Sequence, residues 1–214
     1  MLFELQQVLP TPLREQKRDY ASDIWETKSG FEKGKNYLIV APSGKGKSTF
    51  LHILYGLRKD YEGMVQYRGE DTRKFTIEQW ADIRKDKLAI VFQDLRLFES
   101  LSALDNIKIK SVLTNHRTEA DIRKMAEQLG VAHLLSQVSG TLSYGQRQRI
   151  AIIRALCQPF DCLLLDEPFS HLDEENTKAA FQLIGETCRE QKAGFILVSL
   201  GDDYGKKYDG KLTL

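Results

Sequence analysis

The chain has 214 residues, 42% hydrophobic and 29% charged, enough to bury a core as one or two domains. A formal net charge of +1 gives no drive toward nucleic acid or an anionic membrane surface. No apolar run approaches the roughly 20 residues that span a bilayer, and Met1-Leu2-Phe3-Glu4-Leu5 carries an acid where a signal peptide has basic and then apolar residues. These features read as a soluble intracellular protein, with any membrane role running through a partner. Cys157, Cys162 and Cys188 lack metal-ligand spacing and fit small buried side chains in a reducing cytoplasm better than a disulfide or a metal site.

In chain order, residues 2–8 and about 22–32 are predicted strands, separated by Pro10, Pro12 and a polar loop. Residues 37–40 form a short apolar strand that feeds a Gly/Lys-rich loop. A helix follows Lys47, with Phe50, Leu51, Leu54 and Leu57 at helical spacing. Residues 87–92 are another buried strand, ending at Gln93. The clearest helix covers 118–129: Thr118 and Asp121 form a capping pair, Ile122, Met125, Ala126 and Leu129 share a face, and Gly130 stops it. Further on, the pattern predicts a helix from Tyr144 to Cys157, a strand over 161–166, a helix from 174 to about 190 and a strand over 195–198. Residues 211–214 are expected to close the sheet edge. Buried apolar strands alternating with helices argue for an α/β fold with a mainly parallel core sheet covered on both faces. The stretch 94–158 reads as almost purely helical, a helical subdomain inserted between the core segments 1–93 and 159–214.

The loop Ala41-Pro42-Ser43-Gly44-Lys45-Gly46-Lys47-Ser48-Thr49 lies between an apolar strand and a helix, the context a phosphate-binding loop requires. Glycines let backbone N–H groups turn inward as an anion nest, and the helix that follows presents its positive end. Residues Ser43 to Thr49 are thus the phosphate-binding candidates. Lys47 is expected to neutralise the β- and γ-phosphates of ATP, and the Ser48 hydroxyl to ligate Mg²⁺. Ala41 stands where the usual motif has glycine, a cost of about 1 kcal/mol if that position needs positive φ.

The strand 161–166 delivers two carboxylates, Asp166 and Glu167, to the sheet edge at which ligands bind in open α/β folds. Asp166 is expected to hold Mg²⁺, directly or through water. Glu167 is expected to sit beyond the γ-phosphate and accept a proton from the attacking water.

Leu142-Ser143-Tyr144-Gly145-Gln146, about twenty residues ahead of Leu163-Leu164-Leu165-Asp166-Glu167-Pro168 and about a hundred after the phosphate loop, is far more restrictive than either motif alone. With them it resembles the ABC-type ATPases along nearly the whole chain, and the compact length and the segment after Gln93 look most like the lipoprotein-release and macrolide-export type. The resemblance implies a P-loop NTPase fold with an N-terminal antiparallel β subdomain, and ATP hydrolysis in a head-to-tail homodimer. In that dimer Ser143, Gly145 and Gln146 close over the partner's ATP, with the N–H groups of Ser143 and Gly145 and the Ser143 hydroxyl facing outward as a second anion site. It also implies that Gln93 touches the metal site and assists catalysis with Lys47 and Glu167. Residues 98–107 match the family surface that receives a membrane permease, which would hold the chain on the inner face of the cell membrane.

Departures from the family pattern gather at the same sites. Tyr144 replaces a glycine, and a phenol there either crowds the interface or stacks on the nucleotide or the partner chain. His171 is unusual in the loop Ser170-His171-Leu172-Asp173 and reads as a solvated or interface-packing residue. Leu200 follows the last core strand where the family has a histidine on the γ-phosphate. Loss of such a preorganised donor typically costs about 3–4 kcal/mol of barrier, ~10²–10³ in rate. The aromatic residue that stacks on adenine has only Tyr20 and, less well, Trp25 as candidates; for either, a core or surface aromatic is the stronger reading. A nucleotide-gated switch or assembly ATPase with no transport role is the competing function, favoured by Leu200 and Ala41.

Overall fold

The computed structural model describes residues 1–14 and 21–214. Five parallel strands form the core sheet: β3 (Asn36–Val40), β6 (Leu88–Val91), β7 (Cys162–Asp166), β8 (Gly194–Ser199) and β9 (Gly210–Thr213), in the order β6-β7-β8-β3-β9. Every residue of β6, β7 and β8 is buried, as expected of strands covered on both faces. Beside it lies an antiparallel sheet of β1 (Phe3–Pro10), β2 (Lys28–Phe31), β4 (Tyr61–Tyr67) and β5 (Glu70–Asp71), in the order β2-β1-β4-β5.

One face of the parallel sheet packs with this antiparallel sheet and with helices α1 (Lys47–Leu54) and α2 (Ile77–Asp86), through Phe50, Trp25, Ile39 and Leu164. The other face packs against α3 (Ala103–Thr114), α4 (Glu119–Gln128), α5 (Tyr144–Leu156) and α6 (Glu174–Gln191), through Ile107, Ile153, Leu165 and Ile184. The helices between β6 and β7 therefore share one continuous apolar cluster with the sheet.

Local chemistry explains where elements stop. Thr118 caps α4 in a reciprocal box with Asp121, as the sequence predicts, and Ser143 does the same for α5 with Gln146. Several bounds differ from expectation. The strand expected over 22–32 is only β2, because the Ser22 hydroxyl accepts from the Ile24 and Trp25 amides and folds 22–25 into a turn. The first helix ends at Leu54, leaving Leu57 beyond it and exposed. Residues 94–102 are irregular rather than helical. The sequence reading missed β4, the strand paired most extensively with β1: Gly63 interrupts it opposite a bulge at Gln7, where a Cβ at Gly63 would lie 2.2 Å from the Gln7 carbonyl oxygen. All three cysteines are buried and free, and burial pushes the Cys157 and Cys188 thiols up to about 12, so they behave as packing groups.

Candidate functional site

Four strand ends converge at the carboxyl edge of the parallel sheet. There β3 runs into the phosphate loop, β6 into Gln93, β7 into Asp166 and Glu167, and β8 into Ser199 and Leu200. Within the phosphate loop Gly44 and Gly46 have φ of 78° and 91°, and Gly46 is the N-cap of α1. A side chain at Gly46 would press on Leu13 and Trp25, and the Trp25 indole donates to the Lys45 carbonyl at 3.4 Å. Trp25 is thus a buried buttress under the loop, in edge contact with Phe50, and is not free to stack on a base. Tyr20 lies outside the described residues. Ala41 is fully buried and is not among the residues with positive φ, so alanine carries no backbone strain there.

Lys47 is 7% exposed and its three donors are all directed inward. Nζ donates to the carbonyls of Ala41 and Pro42 at 3.1 and 3.0 Å and pairs with the Glu167 carboxylate at 3.2 Å. Glu167 is itself buried, with φ of 47°, a left-handed conformation that the hydrogen bond its N–H donates to the Val198 carbonyl (3.1 Å) helps to hold. A cavity of about 290 Å³ joins Pro12, Leu13, Ser43, Gly44, Gly46, Lys47, Ser48, Thr49, Gln93 and Glu167. Pro12 and Leu13 were not anticipated from sequence; nothing but proximity in the fold marks them.

Asp166 carries the feature that bears on a metal. The Ser48 hydroxyl reaches its carboxyl, while Oδ1 is buried with no partner among the described residues. Burial, reinforced by Glu167 and Asp94, pushes its carboxyl above the ordinary value, against the opposing pull of Ser48 and Lys47. An orphaned hard oxygen beside a hydroxyl suits a cation of the Mg²⁺ type, which takes one or two protein oxygens and completes its shell with phosphate and water. Among the described residues no group of three His, Cys, Asp or Glu could hold a metal by itself. A second cavity, about 360 Å³, is lined by Ser48, His52, Phe92, Gln93, Asp94, Arg96, Tyr144 and Asp166.

The turn at Ser143 differs in detail from its expected form. The Ser143 amide donates to Gln146 Oε1 (2.8 Å), and its hydroxyl accepts from the Gln146 amide (3.3 Å), so this N–H is spent on the cap rather than offered outward. Gly145 approaches the next loop closely: a Cβ would lie 2.9 Å from the His171 carbonyl oxygen. Within its own chain Tyr144 makes contacts that the sequence reading did not include. Its hydroxyl donates to the Gln93 carbonyl at 2.6 Å, and its ring sits edge-on to His171 with centroids 4.2 Å apart.

Sequence reasoning also passed over Gln148, which is buried and ties α5 at two points to the loop between β7 and α6. Its Nε2 donates to the Glu167 carbonyl, and its Oε1 accepts from the His171 amide, both at 3.3 Å. Leu200 is 57% exposed at the end of β8.

Comparison with known proteins places this geometry. Residues 26–170 match the ABC transporter family. The lipoprotein-releasing system ATP-binding protein LolD of Shewanella sp. strain MR-7 is 34% identical over 185 residues, covering 85% of this chain and 80% of that protein. LolD of Legionella pneumophila strain Lens is 32% identical, covering 85% and 82%. The dimeric structure of MJ0796, a bacterial ABC transporter cassette, superposes with a TM-score of 0.81 at 27% identity, covering 99% of this chain and 94% of that one. A dimeric post-hydrolysis state of the same cassette, bound to ADP and Pi, gives 0.78 at 27% identity, covering 94% and 88%.

Proposed function

The chain belongs to the ABC transporter family as an ATP-binding, ATP-hydrolysing subunit of the lipoprotein-release type, and on that premise we propose that it powers a separate membrane permease through ATP-driven closure of a head-to-tail homodimer. The observation that carries the chemistry is the cluster of buried Lys47, Glu167 and Asp166 with half-buried Ser48 at the sheet edge. Ser43 to Thr49 cradle the phosphates, and Lys47 exchanges its contact with Glu167 for phosphate oxygens. That exchange frees Glu167 to accept the proton of a water attacking the γ-phosphorus; the bond to the β–γ bridging oxygen breaks, and ADP and phosphate leave. Ser48, Asp166 and Gln93 are the residues that would hold Mg²⁺. When bound, the ion neutralises charge on the phosphate oxygens. Ser143, Gly145 and Gln146 serve the partner's nucleotide from the N-terminus of α5.

Leu200 offers no donor to the transition state, so hydrolysis is slow. Turnover of the purified protein measures this: Lys47→Ala abolishes nucleotide binding, Glu167→Gln binds without turning over, and Leu200→His accelerates hydrolysis by ~10²–10³. A wild type already turning over at ordinary enzyme rates, with no gain from histidine, refutes the slow-hydrolysis reading.

For the permease, the support is a surface groove of about 170 Å³ whose lining includes Phe92, Phe98, Ile109, Lys110 and Arg154. Phe98 is 57% exposed, and burial holds the Lys110 ammonium and Arg154 guanidinium below their ordinary values. Neither is in an ion pair with a carboxylate among the described residues, which suits a cytoplasmic permease segment carrying apolar and acidic side chains. Co-purification with a permease encoded beside this chain, lost in Phe98→Asp, supports transport at the inner face of the membrane. Failure of any such pairing favours the nucleotide-gated switch, the reading Leu200 alone suggests.

A further inference from the structure

Tyr144 is the first residue of α5, and its side chain makes contacts that a glycine cannot. The hydroxyl donates to the Gln93 carbonyl at 2.6 Å, the ring meets His171 at 4.2 Å, and the Arg147 guanidinium lies 5.6 Å from its centroid. Further along the same helix, Arg154 donates to the carbonyls of Arg96 and Leu95 at 2.6 and 2.5 Å. At the second of those anchors Leu95 and Arg96 both have positive φ, 60° and 48°, a conformation that L side chains rarely adopt. The turn after β6 is therefore held in an uncommon shape by two side chains of the helix that carries the signature turn.

Gln93 itself makes no side-chain hydrogen bond among the described residues. Its amide is positioned only through its backbone, and the Tyr144 hydroxyl is the side-chain group that grips that backbone. Tyr144 and Gln93 line one cavity with Ser48 and Asp166. On its other side Tyr144 touches His171, whose amide is linked through Gln148 to the Glu167 carbonyl. Two residues that depart from the family pattern, Tyr144 and His171, thus form one contact at the junction of the glutamine turn, the signature turn and the loop beyond Glu167.

We propose that Tyr144 is a positioning residue: it fixes Gln93 beside the metal-binding oxygens of its own chain and so couples the signature turn to that site. The role rests on the reading of Gln93 as a metal-side contact. Removing the hydroxyl while keeping the ring frees the Gln93 carbonyl and lets the 93–96 turn relax. The side-chain amide then samples a wider range and serves Mg²⁺ less well, while ATP alone binds as before.

The test uses the full chain carrying Glu167→Gln, which blocks turnover, with ATP as ligand and Mg²⁺ titrated. Tyr144→Phe is expected to raise half-saturating Mg²⁺ about 5–10-fold, the scale of one lost hydrogen bond, with unchanged ATP affinity in EDTA. Amide hydrogen exchange over 93–97 should quicken by a similar factor without nucleotide, and exchange in β7 and β8 should not. Gln93→Ala should raise the Mg²⁺ midpoint at least as far, and the double variant no further. A Tyr144→Phe midpoint equal to that of the parent, with Gln93→Ala shifted, overturns the positioning role. An unshifted Gln93→Ala overturns the metal-side reading of Gln93, and the proposal with it.

Discussion

Gly46 shows how one residue can serve conformation and packing together. Its φ of 91° suits glycine alone, and a Cβ would lie 2.8 Å from Leu13 Cδ1 and 3.3 Å from the Trp25 ring. Leu13 presents the flexible end of its side chain, so the backbone dominates the cost of Gly46→Ala. A destabilisation of about 1–2 kcal/mol is expected in urea unfolding, with weakened ATP binding because Gly46 is the N-cap of α1. Histidine titration offers an independent check on packing. His116 Nε2 is buried without a partner among the described residues, and burial, aided by Arg117 and opposed by Glu190 and Asp121, holds its pKa below the ordinary value. The unfolded chain therefore binds more protons below about pH 6.5. Stability is highest above that pH and falls as acidification proceeds toward the folded-state pKa. The urea midpoint should drop between pH 7.5 and 5.5, and His116→Gln should flatten that slope. Part of the slope will remain, because burial and Arg96 depress His52 in the same direction.

At the scale of elements, α5 explains why some of the site was readable and some was not. The capping box that takes up the Ser143 amide was not read from the sequence, but the helix's start and its place before an acidic strand end follow from spacing and side-chain type, both local properties. The same holds for the phosphate loop and for Asp166 with Glu167. By contrast, β4 has Glu62 and Gly63 in a strand whose partner lies 51 to 64 residues earlier, and its pairing depends on the bulge at Gln7. The contacts of Tyr144, Gln148 and Trp25 are likewise long-range, and no local pattern announces them. Gln158 makes the point quantitatively. Beyond the end of α5 it looks like a surface residue, yet it is 1% exposed, and its Nε2 donates to the carbonyls of Arg84 at 2.8 Å and Leu88 at 3.0 Å. These carbonyls lie in the last turn of α2 and at the start of β6, so one amide joins the two elements. Gln158→Ala leaves them buried and unpaired, at a cost of about 1–3 kcal/mol. Thermal unfolding should show it as a lowered midpoint; an unchanged midpoint would mean that water replaces the amide.

Across the whole molecule, the two faces of the parallel sheet divide the work. One face, with the antiparallel sheet and α1, supports the phosphate loop; the other packs against α5, whose N-terminus carries Ser143, an exposed residue. If each site is built from the loop of one chain and the turn of the other, damage to the two faces must complement. Ser143→Arg retains its own phosphate loop but blocks the partner's nucleotide, whereas Lys47→Ala loses its own loop and keeps a sound turn. Each variant alone should lack both ATP-driven dimerisation, read by light scattering, and hydrolysis. A mixture forms heterodimers in which the Ser143→Arg loop faces the Lys47→Ala turn, so one site of the two is intact and activity returns. A chain that served its own nucleotide would gain nothing from mixing, because each partner would carry its defect into its own site. Restored hydrolysis in the mixture, scaling with heterodimer concentration, therefore separates a shared site from a self-contained one without appeal to any relative.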